Sequence, residues 1–282
     1  MLDVLKSILF GIVEGITEWL PVSSTGHLIL LQEFVSFDNV SEGFWDMFEV
    51  VIQFGAILAV VLLFWGQIWP FCKKGRGFHK TGLLSYVKMD VISLWFKILV
   101  ACVPAAIIGL LFDDILDAVF YKWYVVAGAL ILFGIAFLLI ENWNKGKNPS
   151  IAQLGDLTYR VALIIGVFQV IAAVFPGTSR SGATIVGALL IGVSRKVAAE
   201  FTFFLAIPVM FGASLLKLVK FGFDFTGTEF AILAVGMIVA FLVSVAVIKF
   251  LLDYIKKHDF KVFGWYRIIL GVLVILYFSM RG

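Results

Sequence analysis

The chain has 282 residues, of which 62% are hydrophobic and only 15% charged, against roughly 45–50% apolar and about 25% charged in soluble domains. The excess comes in long blocks and lacks the alternating ten-residue pattern of a β-barrel, which excludes a water-soluble fold and points to an all-α integral membrane protein. The net charge of +3 is carried between the hydrophobic blocks, where it reads as a topology signal and not as nucleic-acid binding.

The first segment, 4–35, is apolar but broken by Pro-Val-Ser-Ser-Thr-Gly at 21–26. It carries Asp3, Glu14 and Glu18 at or near its start and has no clean cleavage site, so it is not read as a signal peptide. Three blocks long enough to span follow at 47–69, 91–112 and 120–140. After a polar linker, 158–193 is again apolar and broken, by Pro-Gly-Thr-Ser-Arg-Ser-Gly at 176–182. Three more spans are expected at 200–220, 229–252 and 263–281. Pro and Gly end helices, and backbone freed at membrane depth needs polar partners, so both broken segments read as re-entrant hairpins with tips in protein or in a wet cavity. Cys72 falls in a basic loop and Cys102 inside an apolar block, so no disulfide framework is expected.

Charge orients the spans. Lys73, Lys74, Arg76, Lys80 and Lys88, then Lys145, Lys147 and Arg160, then Arg195 and Lys196, and finally Lys249, Lys256, Lys257 and Lys261 mark one side. Asp38, Glu42 and Asp46 in 36–46 and Asp113, Asp114 and Asp117 in 113–117 mark the other. The positive-inside rule puts the first set in the cytoplasm and the second outside, with Lys217 and Lys220 running against it and both termini outside.

An internal repeat underlies this order. GIVEGITEWLPVSSTG at 11–26 aligns with GVFQVIAAVFPGTSRSG at 166–182 with one extra residue in the second copy; Phe54-Gly55-Ala56 recurs as Phe211-Gly212-Ala213, and Trp123-Tyr124 as Trp265-Tyr266. Each half, 1–141 and 158–282, is one hairpin plus three spans. Three spans reverse the chain's side, so the halves are inverted repeats, and ligand sites belong where the broken elements meet near the midplane.

The copies are chemically uneven. Glu14 and Glu18 are four residues apart on one helix face, so one must hold a proton or a cation must bridge them. Ser23, Ser24, Thr25 and His27 follow. The second hairpin has Gln169 and Ala173 in place of the acids and offers Thr178, Ser179, Arg180, Ser181 and Thr184, with Thr25 standing opposite its Ser-Arg pair. A guanidinium with neighbouring hydroxyls and turn amides suits a phosphate, although a structural Arg–Glu tie between hairpins is also open. Gly177-x4-Gly182 is no P-loop, because Ala183 stands where lysine is required. His27 is a capping residue or a general acid–base. Glu49 and Gln53 are expected to support the site, and Lys97 and Arg267 to snorkel from span ends.

VEGITEWLPVSSTGH at 13–27 and PGTSRSGAT at 176–184 closely resemble the two signature motifs of the bacterial undecaprenyl-pyrophosphate phosphatase family, also called the bacitracin-resistance protein. FEVVIQ at 48–53 and GVSR at 192–195 extend the likeness. The resemblance implies a phosphatase of the bacterial inner membrane that converts undecaprenyl pyrophosphate to undecaprenyl phosphate and inorganic phosphate. It implies functional roles for Glu14, Glu18, Ser24, His27 and Arg180, and a divalent cation, magnesium or calcium, held by the acids. The expected partner is the lipid pyrophosphate in the bilayer, with an outward-facing site; a homodimer stays open, as does the attacking group (Ser24, His27 or a water). A lipid-carrier flippase or secondary transporter would share the inverted repeat. The two-histidine lipid phosphatases are set aside, because His79 and His258 both fall in basic loops.

Overall fold

The structure, a computed structural model, describes residues 2–73, 83–120 and 122–281. Lys74, Arg76, His79 and Lys80 of the first basic loop lie outside the described residues. In chain order the helices are α1 (Leu2–Thr17), α2 (Ser24–Gln32), α3 (Phe44–Ile68), α4 (Met89–Phe120), α5 (Trp123–Trp143), α6 (Tyr159–Val174), α7 (Arg180–Leu190), α8 (Arg195–Phe221), α9 (Gly227–Tyr254) and α10 (Lys261–Arg281). No strand occurs among the described residues, only two isolated bridges.

Six of these helices, α3, α4, α5, α8, α9 and α10, are long and apolar enough to cross a bilayer. They coincide with the six expected spans. One boundary differs: α4 runs on to Phe120 and takes in 113–117, which the sequence reading placed in an outer loop. Between Leu110 and Phe120 there is no Gly or Pro, and aspartate alone does not end a helix whose turns continue without interruption. The protein is a multi-pass membrane protein.

Small residues set the helix spacing, as expected where water supplies no drive for helices to associate. A Cβ at Gly166 of α6 would lie 2.3 Å from the Ala101 carbonyl of α4, and one at Gly15 of α1 would lie 2.8 Å from the Ala240 carbonyl of α9. These approaches press the two short helices α1 and α6 directly onto long ones. A core running from Trp19 through Ile57, Val60, Ile185 and Phe203 joins both halves of the chain, with the Trp19 and Phe203 rings edge to face at 5.3 Å.

The two ends of the bundle differ in charge. At one end Lys6 bridges Asp3 and Asp38, the Ser41 amide donates to Glu229, and Phe34 meets Tyr277. At the other, Glu141 takes Arg195 and the Phe260 amide, and the linker is pinned by Ser150 and Ser194 amides on Gly192 and Ile151. Lysines 145, 147, 256, 257 and 261 belong to this second end.

Candidate functional site

Neither member of either helix pair can cross a membrane. α1 and α2 have 16 and 9 residues, and α6 and α7 have 16 and 11; at about 1.5 Å per residue the longest reaches roughly 24 Å of a ~30 Å hydrocarbon layer. Between the members the chain turns at Ser23 and Ser179, the non-glycine residues with positive φ among those described, at 77° and 70°. Each is the N-cap of the next helix: Ser23 Oγ accepts the Gly26 amide at 3.3 Å and Ser179 Oγ the Gly182 amide at 3.1 Å. Such backbone costs about 1–3 kcal/mol per residue and persists only where surroundings dictate it. The caps also fix a register. Ser24 and Arg180 share the first helical position, and Thr25 matches Ser181. The extra residue of the second copy therefore lies before the cap, not at the Ser-Arg pair as the sequence alignment had it, because a cap needs its third-residue amide at a fixed distance.

Between the caps, Glu18 joins both interruptions. Its Oε1 accepts Arg180 Nη2 at 2.9 Å, and its Oε2 accepts the Ser24 hydroxyl at 2.7 Å. Ser181 Oγ donates to the Glu18 carbonyl at 3.3 Å, and Arg180 Nη1 to the Thr202 carbonyl of α8 at 3.0 Å. The Glu18 and Arg180 side chains are 8% and 13% exposed, which makes this a mostly desolvated, charge-assisted pair. Residues 162 positions apart are thus in direct contact. Beside them is a cavity of about 250 Å³ whose lining includes Glu18, Ser24, Thr25, Gln53, Ser179 and Arg180.

Other expected residues stand behind that wall. Glu14 is fully buried one turn before Glu18, and neither of its carboxylate oxygens has a hydrogen-bond partner among the described residues. Thr178 Oγ1 and Arg180 Nε are buried without partners in the same sense. Ser23 is spent as a cap, and Thr184 bonds the Arg180 carbonyl and Thr202. No cluster of three or more His, Cys, Asp or Glu suited to a metal occurs among the described residues. The donor chemistry still fits a hard cation: magnesium is commonly held by one or two carboxylates plus substrate phosphate oxygens, and Glu14 offers two orphaned oxygens beside Glu18.

His27 is held by its own cap and by α10. Its Nδ1 lies 2.7 Å from the Ser23 carbonyl, which can only accept, so Nδ1 carries the hydrogen. Nε2 is then the acceptor, and Tyr266 Oη of α10 donates to it at 2.6 Å, the two rings stacked within 4° of parallel. Among the described residues no carboxylate orients His27, and the acceptor of the Ser24 hydroxyl is Glu18. A His four residues after a cap folds back onto the cap carbonyl, which turns the ring from Ser24.

Arg267 does not snorkel. It is fully buried, with Nη1 on the Pro21 carbonyl at 3.2 Å and Nη2 on those of Gly177 at 3.0 Å and Thr178 at 2.7 Å. Weaker contacts reach Leu130 and Ala129 of α5, both at 3.4 Å. Arg267, Tyr266 and Thr202 are the site's neighbours that sequence reasoning missed. One signal was available: Trp265-Tyr266-Arg267 repeats Trp123-Tyr124 but has a cation where the first copy has Val125.

The family model for bacitracin resistance protein BacA matches residues 7–273. An undecaprenyl-diphosphatase of Desulfitobacterium hafniense is 63% identical over 281 residues, covering 100% of this chain and 98% of that one. Undecaprenyl-diphosphatase 1 of Clostridium acetobutylicum is 62% identical, covering 98% of each chain. An undecaprenyl-diphosphatase of Enterococcus faecalis is 61% identical, covering 98% of this chain and 97% of its own.

Proposed function

The chain belongs to the bacitracin resistance protein BacA family, and from this membership together with the site's geometry we infer that it is an undecaprenyl-diphosphatase. It hydrolyses undecaprenyl pyrophosphate to undecaprenyl phosphate and inorganic phosphate, which returns the lipid carrier to cell-wall synthesis and confers bacitracin resistance. The observation that carries the chemistry is the Ser24–Glu18–Arg180 constellation beside one cavity.

Phosphoryl transfer asks a protein mainly for positioning and charge stabilisation. Arg180 is held by Glu18 and Thr202, which fixes its guanidinium in the lining of the cavity, where its charge stabilises the non-bridging phosphate oxygens. Thr25, Gln53 and Ser179 line the same cavity and add donors. Helices α2 and α7 begin at it, and their first-turn amides favour an anion. Glu18 accepts the Ser24 hydroxyl, so it takes the proton as Ser24 Oγ, or a water hydrogen-bonded to the same carboxylate, attacks the terminal phosphorus in line. The P–O–P bond breaks and its electron pair leaves with undecaprenyl phosphate. In the Ser24 route, water then cleaves the phosphoserine and releases inorganic phosphate. His27 acts through the cap: its Nδ1–H holds the Ser23 carbonyl, and so the start of α2. Glu14 and Glu18 would hold a magnesium or calcium ion, which when bound neutralises charge on the pyrophosphate.

The wider plan is also part of this reading. The halves 1–141 and 158–282 are inverted repeats, each with one re-entrant hairpin. In support, packing partners exchange when the halves are swapped: α1 lies on α9 as α6 lies on α4, while α3 pairs with α8 and α5 with α10. The lysine-rich end faces the cytoplasm of a bacterial inner membrane and the acidic end faces outward. Phosphate release from undecaprenyl pyrophosphate by the purified protein in detergent, suppressed by a chelator and restored by magnesium or calcium, tests the activity. A protein that binds the lipid but releases no phosphate would instead be the flippase or transporter.

A further inference from the structure

We propose that Arg267 is a positioning residue of this site, a single guanidinium that clasps both helix interruptions to α5 and whose buried charge is balanced by the substrate's pyrophosphate. The proposal rests on the diphosphatase reading for the identity of the anion.

The first observation is what Arg267 holds. Its strongest bonds go to the carbonyls of Pro21, in the first interruption, and of Gly177 and Thr178, in the second. Thr178 immediately precedes Ser179, and Pro21 stands two residues before Ser23, so the clasp grips the chain beside each of the two strained caps. Gly177 lines the cavity, which puts the guanidinium one peptide behind its wall. In a trans peptide the N–H points opposite to the C=O. With the Thr178 carbonyl turned to Arg267, the amide of Ser179, itself a lining residue, points the other way. Arg267 thereby sets which face the second cap shows to a ligand, and holds Ser24 and Arg180 at the starts of their helices.

The second observation is the charge. Among the described residues every hydrogen-bond partner of Arg267 is a backbone carbonyl, and the side chain is fully buried. A neutral amide could tie carbonyls at far lower cost, since a cation inside a membrane bundle is expensive without an anion. Arg180 already spends its charge on Glu18. A pyrophosphate entering the cavity therefore meets a second cation that is neutralised only by dipoles. The repeat supports the same point. The first copy has Val125 at the matching position, so the fold does not require a cation there, and one arginine reaches both interruptions.

Clasp and charge are separable, because lysine keeps the charge but has three donors on one atom and no planar fork. The test compares wild type, Arg267→Gln and Arg267→Lys, with Lys97→Gln as a control, all in detergent. Turnover of undecaprenyl pyrophosphate gives kcat, competition by methylenediphosphonate gives the anion affinity, and thermal unfolding checks the fold. Arg267→Gln is expected to lose roughly a hundredfold in kcat, the scale of an ångström misplacement of reacting groups, and roughly tenfold in diphosphonate affinity. Arg267→Lys should regain most of that affinity while kcat stays at least roughly tenfold down. If Arg267→Gln does not yield folded protein, the split in Arg267→Lys decides alone. Wild-type affinity in Arg267→Gln would overturn the charge role, and wild-type kcat in Arg267→Lys the clasp. Equal losses of affinity in both variants would mark a purely structural tie and also overturn the proposal. Wild-type protein that turns over no undecaprenyl pyrophosphate would refute the activity itself, a result distinct from all of these.

Discussion

Replacing Glu18 by Gln strikes a side chain that bonds polar groups of both interruptions. Its two oxygens have separate tasks, Oε1 on Arg180 at 2.9 Å and Oε2 on the Ser24 hydroxyl at 2.7 Å. Gln keeps one acceptor and turns the other into a donor, so one rotamer loses the Arg180 contact and the other reverses the direction of the Ser24 hydrogen bond. If the amide oxygen stays on Arg180, an NH₂ faces Ser24 and cannot take its proton. Loss of a positioned base costs about 10²–10⁴-fold in rate, or about 2.7–5.4 kcal/mol of transition-state stabilisation. Breaking one side of a buried ion pair costs up to about 3–5 kcal/mol of stability. Here the figure should fall below that range, because Arg180 retains the Thr202 carbonyl and a neutral acceptor. The Glu18→Gln variant should thus fold with a modestly lowered thermal transition and lose at least about a hundredfold in kcat. Glu49→Gln is the control and should lose far less. A Glu18→Gln enzyme with kcat within about threefold of wild type would refute the assignment of Glu18 as base.

Arg180→Lys keeps a charge but cannot meet Glu18, the Thr202 carbonyl and a phosphate together, and should lose about 10²-fold or more in kcat in the same assay; near-normal turnover would remove the clamp. His27→Ala should lower kcat about tenfold with lipid binding retained, because it frees the Ser23 carbonyl at the cap, whereas Tyr266→Phe keeps that bond and should cost about fivefold or less, the worth of one neutral hydrogen bond. A larger loss in Tyr266→Phe than in His27→Ala would reverse this order of importance. Single cysteines at Asp38 and Lys147 should label from opposite sides of intact cells, and same-side labelling would sink the topology. Full activity in a chelator would exclude the metal role of Glu14 and Glu18.

The sequence by itself determined the membrane class, the six long helices and the two broken segments. These follow from local properties: about twenty apolar residues in a row have one stable fate in a bilayer, and Pro-Val-Ser-Ser-Thr-Gly cannot continue a helix. It also marked Glu18, Ser24 and Arg180, since charges and hydroxyls in apolar segments stand out against so hydrophobic a background. What only the tertiary structure decided was which of these groups meet. Glu18 and Arg180 are 162 residues apart, and nothing local distinguishes a salt bridge between them from two separate sites. The same limit misplaced Arg267, because an arginine near a span end can reach outward to water or inward to carbonyls, and only the packing of α10 on α5 closes the outward route. His27 shows it again. The sequence left it as a capping residue or a general acid–base, and the ring's direction was fixed by the carbonyl of its own cap and by Tyr266, 239 residues away. Local backbone preference is written in the order of residues, whereas the choice among polar partners at membrane depth waits until folding has removed water as the alternative.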